Sequence, residues 1–198
     1  MIASRLKAPV TAVITPMCRV LLRCGLTPNA LTTIGALGSV LASLYFFSRG
    51  EFFVGTLVVT FFVLSDLFDG TMARLSEQGS TKWGALIDST MDRITDAAIC
   101  IGILLYFNEA GNNPLTVTLA LIVLVTGALI PYIRARAESL GIECKVGIAE
   151  RAERLIVLLV STGLYGLGIN TAIDIALVVL SVLGFVTIAQ RLLVVSRN

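Results

Sequence analysis

The chain has 198 residues, 56% of them hydrophobic and 14% charged, with a net charge of +2 and no histidine. Its mean hydropathy of +0.91 means more apolar surface than a soluble domain of this length can hide, so the bilayer is the expected solvent. No nucleic-acid partner is expected, and without His any proton transfer near neutral pH falls to a carboxylate or another unusual base.

Residues 1–24 come first in the chain. Ile2, Leu6, Val10, Val13, Ile14, Met17 and Leu21 share one helical arc, with Arg5, Arg19 and Arg23 on the other side. That pattern predicts an amphipathic helix lying on the membrane surface. It does not read as a secretory leader, because Pro9 and Pro16 interrupt the run and no small-residue cleavage site is present.

After Gly25, Thr27 as cap and Pro28 in the first turn predict a helix start. A first span then runs over 28–47, a second begins near 52, and others cover 82–107, 114–133, 152–168 and 171–193. The expected fold is all-α: a six-helix transmembrane bundle over 28–193, preceded by the surface helix, in one domain over 1–198. Of the 15 Lys and Arg residues only Arg49 falls on the far side of this scheme, which places both termini in the cytoplasm of a multi-pass inner-membrane protein. Cys18, Cys24, Cys100 and Cys144 have no metal-binding spacing and are read as packing residues.

The acidic residues are the anomaly. The charge-free part of the second span, from Phe52 to Ser65, has 14 residues, and that of the third, from Ala97 to Phe107, has 11. Crossing takes about 20 residues, so both helices are expected to continue through their aspartates. Asp66 and Asp69 then share one helical face, and Asp88 and Asp92 another, by their i,i+3 and i,i+4 spacing. Four anions in a low-dielectric wall need compensating charge, and all-oxygen donors favour a hard cation, Mg²⁺ or Mn²⁺. Salt bridges to Arg74 and Arg93 are the alternative account. Gly70 and Ala73 beside Asp69, and Gly84 one turn before Asp88, clear these faces of bulk, as a nucleotide or a close helix contact requires. Asp96 continues the Asp88 and Asp92 face by another turn, with no assigned role.

The runs Asp66-Leu-Phe-Asp69-Gly70-Thr-Met-Ala73-Arg74 and Gly84-Ala-Leu-Ile-Asp88-Ser-Thr-Met-Asp92 resemble the signature of the CDP-alcohol phosphotransferases. The resemblance implies a six-helix membrane enzyme, a homodimer, that transfers a phosphatidyl group from CDP-diacylglycerol to an alcohol. It implies that Asp66, Asp69, Asp88 and Asp92 ligate metal, and that Asp69, Gly70, Ala73, Arg74 and Gly84 line the CDP-lipid site. Asp92 is then also the general base. The nine residues between Arg74 and Gly84, where the family usually has eight, fall in the polar loop over 76–82.

The acceptor is sought in a second basic cluster. Arg134 and Arg136 end the fourth span, Lys145 lies in the loop, Arg151 and Arg154 open the fifth, and Arg191 ends the sixth. Guanidiniums at several helix ends suit a phosphorylated alcohol, because bidentate contacts fix a phosphate. Positive-inside loops carry Arg in any case, and Glu150 with Arg154 has the spacing of a helix-stabilising pair. The segments Tyr132 to Glu138 and Glu150 to Arg154 resemble the branch of the family that uses inositol phosphate. Arg134, Arg151, Arg154 and Arg191 are therefore the expected acceptor-phosphate residues. A glycerol 3-phosphate acceptor remains open, as does a membrane ion or proton transporter, although a transporter predicts acids spread through the bilayer depth.

Overall fold

The structure, a computed structural model, describes residues 14–75 and 81–197, with backbone only at 66 and 67. Every regular element among these residues is helical. α1 covers 14–23, and α2 covers Pro28–Phe46, followed by a 3-10 turn at Phe47–Arg49. Then come α3 at Phe52–Val63, α4 at Asp66–Leu75 and α5 at Lys82–Glu109. The order ends with α6 at Pro114–Ser139, α7 at Arg151–Gly166 and α8 at Ala172–Ser196. Residues 1–13 of the expected surface helix and 76–80 of the expected polar loop lie outside the described residues.

Local chemistry explains where the helices start. Thr27 Oγ1 accepts from the Ala30 amide at 3.2 Å and Pro28 follows it, so the first turn of α2 loses no hydrogen bond to the missing proline N–H. Asn113 and Pro114 repeat the device at α6, with Asn113 Oδ1 3.3 Å from the Thr116 amide.

The second expected span differs from a continuous helix. The helix is interrupted at Leu64 and Ser65, between α3 and α4, although the Leu64 amide still donates to the Thr60 carbonyl at 2.9 Å. Ser65 donates through both its amide, at 3.1 Å, and its hydroxyl, at 2.6 Å, to the Phe62 carbonyl, three residues back instead of four. A serine hydroxyl that competes for a helix carbonyl tightens the turn locally. The carbonyl ladder resumes with the Asp69 amide on Ser65 O at 3.2 Å.

Four helical stretches are long and apolar enough to cross a membrane: Pro28–Arg49, Phe52–Leu75, Pro114–Ser139 and Ala172–Ser196. Many large apolar side chains on them point outward, with Phe61 72% and Leu41 68% exposed, as lipid contact requires. The chain is an integral membrane protein. α5 and α7, counted among the six expected spans, do not meet that standard. α5 has 28 residues but carries Lys82, Asp88, Asp92, Arg93 and Asp96 between its start and its middle. α7 has only 16, with Arg151, Glu153 and Arg154 in its first turn.

The chain forms two compact units, one of residues up to Leu41 with Val58–Thr95, the other of Ala42–Leu57 with the chain from Asp96 onward. In the first, α2 approaches the α3–α4 junction closely. A Cβ at Gly35 would lie 2.0 Å from Ser65 Oγ, and one at Gly38 would lie 2.4 Å from the Phe62 ring. Small residues at such a crossing let backbones approach without a hydrophobic drive between helices. Cys18 on α1 is fully buried and its Sγ donates to the Phe68 carbonyl at 3.6 Å.

In the second unit α8 packs against α6 and α7. Gly184 brings α8 against Thr126, and the Thr116 hydroxyl of α6 donates to Asp174 of α8. Asp174 thus ties two helix starts together. Phe47 and Phe52, both fully buried, stack at 5.6 Å, and the Tyr165 ring meets Phe52 edge-on at 4.9 Å. All four cysteines are free, and Cys18, Cys100 and Cys144 are buried, as packing residues should be.

Candidate active site

The signature residues belong to the first unit, on α4 and the first half of α5. The interruption at Ser65 starts α4 at Asp66, and Asp69 follows one turn later. Asp69 is only 7% exposed, and the Thr32 hydroxyl of α2 donates to its Oδ2 at 2.5 Å. The same hydroxyl lies 3.1 Å from the Pro28 carbonyl, but it has one proton, and the charged acceptor is the stronger partner. Arg74, at the end of α4, is exposed, and its Nη2 donates to the Thr71 hydroxyl one turn back at 2.9 Å.

Asp88 and Asp92 are half-buried on α5. Arg93 Nη1 is 4.0 Å from Asp92 Oδ2 and 2.5 Å from the Ser89 carbonyl, so its shorter contact is with its own helix backbone. Among the described side chains no three Asp, Glu, Cys or His groups gather as a metal cluster. The Asp66 side chain, the fourth member of the expected set, lies outside them. The donor set is carboxylate oxygen alone, which matches a hard divalent cation.

The two glycines of the signature differ. A Cβ at Gly70 would meet nothing within 4 Å, so the surface beside Asp69 is open. A Cβ at Gly84 would lie 2.8 Å from Asn29 Oδ1 and 3.1 Å from Thr81 Oγ1, so Gly84 allows α5 to start against α2. Thr81 caps that start, its hydroxyl accepting from the Gly84 amide at 3.0 Å.

The basic cluster belongs to the second unit, and its arginines are not alike. Arg134, 39% exposed at the side chain, pairs with Glu138 at 3.0 Å along α6. Arg136 reaches Ser139 at 3.3 Å. Arg154 is 6% exposed, and its carboxylate partner is Asp96 at 3.1 Å, not Glu150 as the helix spacing suggests. Arg151 reaches the other oxygen of Asp96 at 3.4 Å. Arg191, 2% exposed, donates through Nε to the Val146 carbonyl at 2.8 Å and through Nη1 to the Ile130 carbonyl.

These arginines shape the segment between α6 and α7. Arg191 holds it at Val146, Arg154 donates to the Ala149 carbonyl at 2.9 Å, and Thr187 Oγ1 accepts from the amides of Ile148 at 3.3 Å and Ala149 at 3.1 Å. Gly147 sits between them at φ +136, where a Cβ would lie 2.6 Å from Thr187 Cγ2. Lys145, 2.6 Å from Glu143, is spent on an exposed pair, and that hydrogen bond holds the Glu143 carboxyl below its usual range.

Thr32, Thr187 and the pairing of Asp96 escaped sequence reasoning. Thr32 and Asp69 are 37 residues apart, and no local pattern links them. Asp96 carried a signal, an acid continuing the Asp88 and Asp92 face, but not its partners.

A helical membrane chain that carries aspartates on α4 and α5, an open glycine beside Asp69 and, in its other unit, buried arginines at 154 and 191 is consistent with a class, the membrane-embedded transferases. The chain belongs to the CDP-alcohol phosphatidyltransferase family, whose model matches residues 25–192. It is 42% identical over 195 residues to a phosphatidylinositol phosphate synthase of Streptomyces avermitilis, covering 95% of this chain and 80% of that one. It is 44% identical over 193 residues to a protein of the same name from Cutibacterium acnes, covering 93% of each. Among solved structures it resembles the Mycobacterium tuberculosis phosphatidylinositol phosphate synthase with CDP-DAG bound. That match has a TM-score of 0.89 at 40% identity and covers 93% of this chain and 94% of that one. The same enzyme in complex with manganese and citrate matches with a TM-score of 0.87 at 41% identity, covering 91% and 88%.

Proposed function

We propose that the chain transfers a phosphatidyl group from CDP-diacylglycerol to inositol 1-phosphate, giving phosphatidylinositol phosphate and CMP. The single observation that carries this reading is the complete signature on α4 and α5, joined to identities of 42% and 44% with relatives named for that reaction. The matched structures with CDP-DAG and with manganese support the donor and a divalent ion.

Asp66, Asp69, Asp88 and Asp92 would hold the metal, Mg²⁺ or Mn²⁺, which when bound neutralises charge on the pyrophosphate of the donor. Gly70, Ala73, Arg74 and Gly84, with Asp69, surround the cytidine diphosphate; the open face at Gly70 supports this. Asp92 accepts the proton of the acceptor hydroxyl as its oxygen attacks the lipid-side phosphorus, and the bond to CMP breaks. No histidine competes for that role. Arg134, Arg151, Arg154 and Arg191 bind the acceptor phosphate. Arg154 and Arg191 do so as desolvated cations, where each charge-assisted hydrogen bond is strong.

The chain is read as one domain of six spans, with α5 and α7 as the two less apolar ones and residues 1–24 on the surface. The charge asymmetry supports an inner-membrane protein with both termini and the active site on the cytoplasmic side. A homodimer is the expected assembly. Purified protein with Mg²⁺ and CDP-diacylglycerol should release CMP with inositol 1-phosphate and much less with glycerol 3-phosphate or free inositol. The reverse preference for glycerol 3-phosphate would reassign the acceptor.

A further inference from the structure

Thr32, Gly35 and Gly38 follow one another at three-residue intervals on one face of α2, and each meets a residue of the stretch that joins α3 to α4. The Thr32 hydroxyl donates to Asp69 Oδ2, a Cβ at Gly35 would lie 2.0 Å from Ser65 Oγ, and one at Gly38 would lie 2.4 Å from the Phe62 ring. Numbers rise along α2 as they fall along its partner, so the two stretches run antiparallel and meet turn for turn.

The three contacts differ in how far they can give. At Gly38 the neighbour is a ring, which can swing aside. At Gly35 the added carbon would also lie 3.2 Å from the Phe62 carbonyl oxygen and 3.3 Å from Ser65 Cβ. Ser65 Oγ can turn away only by leaving that carbonyl, to which it donates at 2.6 Å, and a backbone oxygen and a Cβ cannot turn away at all. A methyl at position 35 therefore pushes α2 from its partner, because close-packed interiors feel a single added carbon.

That displacement reaches Asp69. Its amide donates to the Ser65 carbonyl at 3.2 Å, which ties the two residues along one helical turn. The Thr32 bond is not the whole of what Asp69 touches, but it comes from α2, and its length follows from the spacing of α2 and α4. We infer that Gly35 is a positioning residue for the metal site: by carrying no side chain it keeps Thr32 within reach of Asp69, so that the carboxylate is aimed before a cation arrives. The inference rests on the reading of Asp69 as a metal ligand. Gly35 touches neither metal nor substrate in this account and acts through Ser65 and Thr32. Gly70, next to Asp69 in the chain, borders open space and has no such part.

The test measures Mn²⁺ binding by calorimetry on purified protein in lipid nanodiscs, without donor or acceptor, with melting temperatures alongside. It compares wild type, Gly35→Ala, Ser65→Ala and the double variant. Gly35→Ala is expected to raise the Mn²⁺ Kd about 10-fold, the low end of what loss of a ligand's outer partner costs, and to raise the Mg²⁺ requirement for CMP release in step. Adding Ser65→Ala should recover part of that loss, because the hydroxyl is gone while the Phe62 carbonyl and the Cβ remain, so the two substitutions should not add. A folded Gly35→Ala protein with a lowered melting temperature and an unchanged Mn²⁺ Kd would overturn the inference and leave Gly35 a packing residue. Strict additivity would overturn it too, since the effect would not pass through Ser65. If Gly35→Ala is not recovered folded, the double variant is set against Ser65→Ala: a higher Kd in the double variant supports the inference, and an equal one overturns it. Failure of the underlying reading shows separately, as a Mn²⁺ Kd that Asp69→Asn leaves unchanged.

Discussion

The hydroxyl of Thr32, on α2, donates to Oδ2 of Asp69, on α4, across 37 residues of chain. Asp69 is 7% exposed, so this bond fixes the rotamer of a carboxylate that has little access to water. A ligand oriented by a neighbouring donor binds a metal better than one that must be ordered on binding. Thr32→Val keeps the branched shape and removes the donor. The Mg²⁺ concentration for half-maximal CMP release should rise about 10-fold, with smaller effects on the acceptor KM. An unchanged Mg²⁺ requirement would mean that Asp69 needs no such support.

Asp92→Asn is expected to lose turnover by three or more orders of magnitude while the protein still binds CDP-diacylglycerol. The amide retains the shape but cannot take the hydroxyl proton, and no histidine is present to replace it. Single-turnover CMP release and thermal stabilisation by the donor lipid separate the two effects. Ordinary rates in Asp92→Asn would assign the base elsewhere.

Chelation offers a test that needs no mutation. EDTA should stop CMP release, and Mg²⁺ or Mn²⁺ should restore it, with Ca²⁺ a poor substitute because its larger, looser shell suits a different geometry. Activity that survives full chelation would remove the metal role from all four aspartates.

Arg154→Ala is expected to raise the KM for inositol 1-phosphate more than 10-fold and to lower stability by about 2–4 kcal/mol, since it breaks a buried pair and abandons the Ala149 carbonyl. Arg134→Ala, at a half-exposed pair with Glu138, should raise the same KM with little loss of melting temperature. Equal stability losses in both would contradict the difference in their burial.

Gly147→Ala tests the segment that Arg191 and Thr187 hold. The backbone there sits at φ +136, and a Cβ would meet Thr187 Cγ2 at 2.6 Å. A destabilisation of about 1–3 kcal/mol is expected, read as a lowered melting temperature. Thr187→Ser, which keeps the acceptor and removes the methyl, should relieve part of it.

The sequence by itself determined the solvent, the helical class and the chemistry. Long apolar runs and the Thr27-Pro28 start mark the helices because capping and hydropathy are local properties, written in neighbouring residues. The four aspartates were visible for the same reason, as charges in runs where the bilayer tolerates few. Tertiary structure alone decided the rest. The close approach of Gly35 on α2 to Ser65 joins residues 30 positions apart, and the partner of Arg154 proved to be Asp96, 58 residues away, instead of Glu150, four residues away. A buried guanidinium chooses among acceptors by distance and desolvation, and both are set by how helices pack, which no local pattern of residues encodes.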